Sequence, residues 1–218
     1  MQIRTLTLGP LETNCYILTD PETGDTAVID PGLDEEQLLD LCKPIAKQIK
    51  WLLLTHSHFD HIMGLAALKE LTGAPVAVHR LDADGLTDPR ASMYRMCAQY
   101  YAHPQQPAPP DRLLEDGDEL PLGGGRIRVL HTPGHTVGGV CFLTDDALFS
   151  GDTLFAGGVG RTDFPGGDYS ALRESLQRLA ALEGDLRVFP GHGPATTLGR
   201  ERRENPYIGQ DNDDAFAF

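Results

Sequence analysis

Four side chains that can bind metals lie within the hexapeptide HSHFDH at residues 56–61, directly after the apolar run WLLL at 51–54. Core packing has no use for three imidazoles and a carboxylate in six residues, whereas zinc, iron, copper and nickel bind imidazole well. His56 and His58 share one face of an extended chain, and Asp60 and His61 begin the helix that follows. The spacing therefore predicts a loop that directs ligands toward one metal ion and toward a second beside it.

Three more candidate ligands follow later in the chain: His135 in HTPGHT, Asp152 in SGDT and His192 in PGHGP. Each lies at the end of an apolar run or in a glycine-containing turn, and strand ends are where an α/β scaffold gathers a site. These residues supply what a two-metal centre needs beyond the hexapeptide. The remaining histidines are expected to have structural roles: His79, His103 and His131.

Short apolar or alternating runs predict the strands that position these residues: 3–8, 15–18, 27–29, 51–54, 76–78, 127–130, 140–143, 147–149 and 188–189. Helical spacing of leucines predicts helices over 34–50, 61–71 and 169–182. Pro44 is expected to disturb the last turns of the first helix, and Gly73 to end the second.

The order of these elements predicts an α/β fold with two β-rich halves and helices on the outer faces, a four-layer αββα sandwich. We expect one domain over residues 1–208, with an irregular proline-containing stretch over 87–112. The last residues, 209–218, read as an acidic and flexible tail.

Composition narrows the class of partner. The 218 residues carry a formal net charge of -14, which argues against nucleic acid as the main partner. No run approaches the ~18 apolar residues of a membrane span, and the first residues lack the apolar stretch of a signal peptide. The four cysteines form no C-x-x-C pair and are expected to be buried free thiols. A cytoplasmic protein that acts on a small molecule fits these features.

The segments HSHFDH, HTPGHT, SGDTLF and PGHG together resemble the metallo-β-lactamase superfamily, in an order and spacing that cover nearly the whole chain. The resemblance implies that His56, His58 and His135 bind one metal ion. It implies that Asp60, His61 and His192 bind the other, with Asp152 bridging the two. Asp60 is also expected to take part in catalysis.

Two longer segments, GDTLFAGGVGRTDFPGGD and FPGHGPATTLGRERRENPYI, resemble the glyoxalase II-type hydrolases, and in particular a short bacterial, hydroxyacylglutathione hydrolase-like branch. This resemblance implies hydrolysis of a thioester such as S-lactoylglutathione by a metal-bridging hydroxide. The expected cofactors are two divalent ions, zinc first, with iron or manganese as alternatives. The classical C-terminal helical domain has no counterpart after His192, and the classical Lys-Phe-Tyr segment reads Arg161-Thr162-Asp163, so we expect glutathione recognition to differ.

Arg161 and a group of aromatic and methionine side chains each allow two interpretations. Arg161 is predicted to hold a substrate carboxylate, or instead to pair with Asp163 or Asp168 and hold the glycine-rich loop. The second feature is a group of aromatic and methionine side chains that either forms a lid over the pocket or packs as an ordinary surface helix: Met93, Tyr94, Met96, Tyr100 and Tyr101.

The main alternative function is that of an oxidoreductase. Persulfide dioxygenases resemble this chain in the H-x-H-x-D-H and GRTDF segments. In that reading His56, His135 and Asp152 hold a single iron with open positions for dioxygen and glutathione persulfide. A binding protein with a purely structural metal is the third class, and such sites are usually closed by four ligands.

Overall fold

Two six-stranded sheets face each other in this computed structural model, which describes residues 1–32, 35–100 and 104–208. The first sheet contains, in spatial as well as chain order, β1 (Gln2–Leu8), β2 (Thr13–Thr19), β3 (Thr26–Ile29), β4 (Ile49–Leu53), β5 (Val76–His79) and β6 (Arg112–Leu114). The second contains β7 (Glu119–Leu122), β8 (Gly125–His131), β9 (Val140–Leu143), β10 (Ala147–Gly151), β13 (Arg187–Pro190) and β14 (Thr196–Thr197). Its spatial order is β14-β13-β10-β9-β8-β7. A small antiparallel hairpin consists of β11 (Leu154–Phe155) and β12 (Gly158–Val159).

Helices cover both outer faces. They are α1 (Glu35–Cys42), α2 (Phe59–Ile62), α3 (Leu65–Thr72), α4 (Tyr94–Cys97), α5 (Tyr169–Ala180) and α6 (Leu198–Glu204). Short 3-10 turns span Lys43–Gln48, Arg80–Leu86 and Ala98–Tyr100. None of the described helices is long and apolar enough to cross a membrane.

Alternation of side chains along the strands builds three apolar layers. In β3, Ala27 and Ile29 lie in the core between the sheets, while Val28 lies with Leu38 of α1 in the core under the helices. This is the period of two that a pleated strand imposes. The second sheet packs in the same way against α5 and α6, with Leu148 on its helix side. The predicted four-layer αββα architecture is confirmed.

All the predicted strands are present, with ends that differ from the prediction by at most two residues. The strands that sequence reasoning missed are β6, β7, β11, β12 and β14. They are only two to four residues long, too short to show a period of two against their surroundings.

The helices depart from the prediction at two residues that interrupt them, Pro44 in the first and Gly64 in the second. The predicted helix over 34–50 ends as an α-helix at Cys42, and Pro44 lies at the start of the 3-10 turn that follows. The continuous helix predicted over 61–71 was wrong, because Gly64 donates its amide to the Pro31 carbonyl at 2.9 Å and separates α2 from α3. Gly73 does end α3, with the left-handed φ of 65° that glycine favours.

The tail at 209–218, together with Tyr101 and His103, lies outside the described residues. Three of the cysteines are buried free thiols as expected, but Cys97 is half-buried and lines a cavity. Burial of all four thiols was therefore a wrong prediction at that position.

Candidate metal centre

The candidate metal ligands meet where strands of both sheets end. His56 and His58 follow β4, and α2 then presents Asp60 and His61. The other three lie in the β8–β9 turn, after β10 and after β13: His135, Asp152 and His192. The structure therefore brings together all the residues that the sequence had singled out as ligands.

The first group is made of three buried imidazoles. His58 Nδ1 lies 3.1 Å from His56 Nε2 and 2.9 Å from His135 Nε2. Ligands 2.0–2.1 Å from a tetrahedral ion lie about 3.3 Å from one another. The three nitrogens are thus spaced as the ligands of a single ion.

The second group combines imidazoles with carboxylates. Asp60 Oδ2 lies 3.3 Å from His192 Nε2 and 3.5 Å from His61 Nε2. Asp152 lies between the groups, with Oδ1 3.5 Å from His61 Nε2 and Oδ2 3.5 Å from His135 Nε2. The same Oδ2 is 3.6 Å from His192 Nε2, so this carboxylate faces both sets of ligands.

Hydrogen bonds outside the cluster orient the imidazole rings. Three Nδ1 atoms each lie at hydrogen-bond distance from an oxygen acceptor: His61 from Asp30 Oδ2 at 2.9 Å, His135 from the Arg161 carbonyl at 2.7 Å, and His192 from the Leu11 carbonyl at 3.0 Å. A carbonyl or carboxylate partner places the proton on Nδ1 and leaves the Nε2 lone pair free for a metal ion.

Burial and charge set the protonation of the site. Burial lowers the pKa of His58 to about 3 and that of His56 well below its ordinary value, so both rings are neutral. Burial opposes a charge on His61 as well, but three neighbouring carboxylates outweigh it and raise the pKa of that ring to about 10. Burial would raise the pKa of Asp60, yet the adjacent His61 lowers it below its ordinary value. Ionised carboxylates and neutral imidazoles are the forms that bind metal ions, and at His61 a metal ion competes with a proton.

Two buried polar atoms indicate that the group fits divalent metal ions. His61 Nε2 and Asp152 Oδ1 have no hydrogen-bond partner among the described residues, although they face each other at 3.5 Å. A buried polar atom without a partner costs about 1–3 kcal/mol. Divalent metal ions bound here would satisfy both atoms, and imidazole nitrogen with carboxylate oxygen is a donor set suited to such ions.

Two buried aspartates that sequence reasoning missed hold the loops of the site. Asp30 accepts the Thr55 amide at 2.8 Å and the Thr55 hydroxyl at 2.6 Å, in addition to its contact with His61. Asp82 joins the loop of His56 to the loop of His135. It accepts hydrogen bonds from the Ser57 amide at 3.1 Å, the Thr136 hydroxyl at 2.9 Å and the Gly138 amide at 2.7 Å. For Asp30, an acid at the end of a strand followed by Pro-Gly was an available signal; for Asp82 the sequence offers none.

The start of β2 holds the loop that carries His192. Thr13 donates its hydroxyl to Asp60 Oδ2 at 2.8 Å, and the Asn14 amide donates to the Gly191 carbonyl at 2.7 Å. A side chain at Gly191 would overlap the Asp152 carboxylate, which explains the glycine in PGHG. The second group of ligands thus depends on a strand far away in the sequence.

A cavity of about 610 Å³ opens beside the cluster. Five of the candidate ligands line it: His58, Asp60, His135, Asp152 and His192. Apolar side chains form most of the remaining wall: Leu11, Phe59, Met93, Met96, Phe155, Val159 and Phe164. The site can therefore hold a small molecule next to the metal ligands.

The guanidinium of Arg161 lines this cavity but is already paired. Its Nε and Nη2 atoms donate to the two carboxylate oxygens of Asp163, each at 2.6 Å, and the group lies over the Phe164 ring. Of the two interpretations of Arg161, the structure shows the pairing with Asp163. Contact with a substrate stays a prediction.

The candidate lid residues divide between packing and exposure. Met93 and Tyr94 are buried against Phe59 and Met63, so they pack as ordinary apolar side chains. Met96 is exposed and lines the cavity. Met93 also lines the cavity, so two of these three described side chains border it, and a lid stays a prediction.

Two histidines outside the cluster have structural contacts, as expected. His79 and His131 stack with ring centroids 4.1 Å apart. His131 Nε2 also lies 3.0 Å from the Val137 carbonyl, in the turn that carries His135. His131 therefore supports the turn and takes no part in either group of ligands.

Known proteins resemble this chain in sequence and in fold. The model of the Metallo-beta-lactamase superfamily matches residues 8–192. The hydroxyacylglutathione hydrolase GloC of Haemophilus influenzae is 36% identical over 213 residues, which cover 95% of this chain and 98% of that protein.

Three solved structures resemble the whole chain. The B3 metallo-β-lactamase BLEG-1 has a TM-score of 0.85 at 36% identity, covering 95% of this chain and 99% of its own. TTHA1623 in a di-iron-bound form has a TM-score of 0.82 at 43% identity, covering 94% and 99%. ETHE1 from Myxococcus xanthus has a TM-score of 0.76 at 30% identity, covering 97% and 87%. With its His/Asp metal centre and this match along most of its length, the chain belongs to the metallo-β-lactamase superfamily.

Proposed function

We propose that this protein is a dinuclear metal-dependent hydrolase of thioesters, with S-lactoylglutathione as the first candidate substrate. The observation that carries the proposal is the pair of ligand groups beside one cavity, with Asp152 facing both groups. The similarity to GloC, which extends over nearly the whole of both chains, supports an acylglutathione as the class of substrate.

In this proposal three histidines would hold one ion, and Asp60 with two histidines would hold the other, with Asp152 facing both groups: His56, His58 and His135 for the first, His61 and His192 for the second. Bound metal ions lower the pKa of water to about 7 and polarise a carbonyl oxygen. Zinc is our first candidate because the ligands are nitrogen and carboxylate oxygen. The di-iron form of TTHA1623 supports iron as an alternative, and manganese accepts the same ligands.

The chain's own residues orient this chemistry. Thr13 holds the Asp60 carboxylate, and the Arg161 carbonyl accepts the proton of His135 Nδ1. Asp60 lines the cavity as well, so we assign it a catalytic role in addition to its role as a ligand. A thioester suits the site because thiols ionise near pH ~8.5, so the departing thiolate needs no proton donor.

A mononuclear iron dioxygenase that acts on glutathione persulfide is the second candidate. The similarity to ETHE1 supports it, and His56, His135 and Asp152 lie within the cluster as that reading requires. It leaves the second group of ligands without a role, and the buried Nε2 of His61 without a partner among the described residues. Since such an atom costs about 1–3 kcal/mol, the dinuclear reading accounts for more of the site.

The proposal is tested by metal analysis and turnover on one sample. Protein purified without added metal is expected to contain about two divalent ions per chain by mass spectrometry and to hydrolyse S-lactoylglutathione. A portion treated with chelator serves as the control, and should lose turnover and regain it when metal is restored. Glutathione persulfide and a β-lactam are assayed in parallel, the latter because of the likeness to BLEG-1. A single iron per chain, with oxygen uptake on the persulfide and no thioester turnover, would contradict the proposal.

Replacing Arg161 with alanine tests whether its guanidinium binds substrate. We expect about a tenfold rise in KM for S-lactoylglutathione and a much smaller change in kcat, because an exposed charged contact to substrate is removed. The matched variant Asp163→Ala removes the carboxylate that now neutralises Arg161, and its KM is expected to fall. Steady-state kinetics on both variants provides the measurement. An unchanged KM in Arg161→Ala removes this residue from substrate binding.

A further inference from the structure

Glu201 of helix α6 is a buried carboxylate that none of the chemistry above uses. The side chain is only 1% exposed, and no lysine, arginine or histidine in the described part of the chain forms an ion pair with it. Its oxygens instead accept hydrogen bonds from the Thr196 hydroxyl at 2.6 Å, the Gly157 amide at 2.8 Å and the Asn205 side-chain amide at 2.9 Å. A buried carboxylate that accepts bonds from neutral donors is costly unless every bond is made, so this geometry is closely specified.

These hydrogen bonds join helix α6 to the hairpin of β11 and β12. Gly157 lies in the turn of the hairpin, and Asn205 reaches both strands through its side-chain amide. That amide lies 3.3 Å from the Phe155 carbonyl and 3.1 Å from the Gly158 carbonyl. A hairpin with only two residue pairs is marginal by itself in water. Glu201 and Asn205 make three hydrogen bonds to this hairpin and so help to hold its conformation.

The same hairpin forms part of the candidate active site. Phe155 of β11 and Val159 of β12 line the cavity. Gly160, the next residue, lies so close to the Asp152 carbonyl that a side chain there would overlap it. Arg161 then lines the cavity with its side chain and accepts the His135 ring proton with its carbonyl. Movement of the hairpin would displace the cavity wall.

We propose that Glu201, together with Asn205, is a positioning residue for substrate binding, because it holds the β11–β12 hairpin that presents Phe155 and Val159 to the cavity. Its carboxylate touches neither the candidate ligands nor the cavity. Its expected effect is therefore on KM, with metal binding retained. The kinetic part of this inference rests on the proposed thioester hydrolysis, whereas the effect on the hairpin does not.

Amide hydrogen exchange tests the effect on the hairpin directly. In Glu201→Ala we expect exchange over residues 154–161 to be about tenfold faster, and exchange over 56–61 to be unchanged. Glu201→Gln should behave as the wild type, because the glutamine oxygen can accept from Gly157 and Asn205 while its amide donates to the Thr196 oxygen. Glu204→Ala is the matched control, since Glu204 is an exposed glutamate of the same helix paired only with Arg200 in the described structure.

Kinetics on the metal-loaded variants separates positioning from general stability. Glu201→Ala is expected to raise KM for S-lactoylglutathione about tenfold, with kcat and metal content within about twofold of wild type. Asn205→Ala removes only the hydrogen bonds of the side-chain amide, and it should also speed exchange over 154–161 and raise KM. If Glu201→Ala fails to fold, this second variant tests the proposal in its place. Unchanged exchange over 154–161 overturns the proposal, as does a fall in kcat and metal content at constant KM. If the wild type hydrolyses no thioester, the proposed function fails, while hydrogen exchange still decides the role of Glu201.

Discussion

Replacing Asp152 with alanine is expected to lower kcat/KM for thioester hydrolysis by on the order of a thousandfold or more, and to deplete the bound metal. The carboxylate faces both groups of ligands, with its oxygens 3.5–3.6 Å from His61, His135 and His192. One substitution therefore removes a ligand and a negative charge from both positions at once. Loss of a residue that merely supports a ligand costs about 10–100-fold, so loss of a shared ligand should exceed that.

The control for this prediction is Asp145→Ala. Asp145 is an exposed aspartate in the turn that precedes β10, and Asp152 follows the other end of that strand. Metal content and initial rates are measured on both variants after identical purification. We expect the Asp145 variant to retain its full metal content and its rate. If Asp152→Ala keeps two ions and hydrolyses the thioester at the normal rate, Asp152 is not the shared ligand and the proposed dinuclear site is wrong.

His192→Ala is expected to reduce the metal content to about one ion per chain and thioester turnover by about a hundredfold or more. His192 belongs to the second group only, with Nε2 3.3 Å from Asp60 Oδ2. The three imidazoles of the first group contact one another without it. The side chain is 28% exposed, so its removal disturbs packing less than removal of the fully buried His61 would.

This variant also separates the two candidate functions. A mononuclear centre of His56, His135 and Asp152 does not require His192, so a dioxygenase should keep its iron and its oxygen uptake. The control is again Asp145→Ala, whose exposed side chain lies outside the cluster and whose loss should leave metal content unchanged. Full metal content and full thioester turnover in His192→Ala would contradict the assignment of His192 as a ligand.

The local parts of this fold could be predicted from the sequence. Successive side chains of a pleated strand point to opposite sides. In β3 and β10 the apolar sequence therefore indicates which residues pack against the other sheet and which pack against the helices. The hexapeptide at 56–61 places four candidate ligands next to one another in the chain, so no long-range contact was needed to recognise them.

Contacts between distant segments could not be predicted in this way. The helix expected over 61–71 is divided because the Gly64 amide donates to the carbonyl of Pro31, 33 positions earlier in the chain. Asn14 holds the loop of His192 by a hydrogen bond to Pro190 across 176 positions. Asp82 and Glu201 resemble ordinary surface acids in the sequence, and only their burial identifies the loops that they hold.

The sequence by itself determined the chemical types of the candidate ligands, the strands that end beside them and the layered α/β architecture. These depend on residue identity and on periodicity, which are local properties of the chain. The tertiary structure decided which candidate ligands lie within reach of one another, which ring nitrogen of each histidine faces inward, and which acid pairs with Arg161. The first two depend on atoms of different segments that come within about 3–4 Å of one another only in the folded chain. The third depends on the side-chain conformation by which Arg161 reaches Asp163, two residues further along the chain.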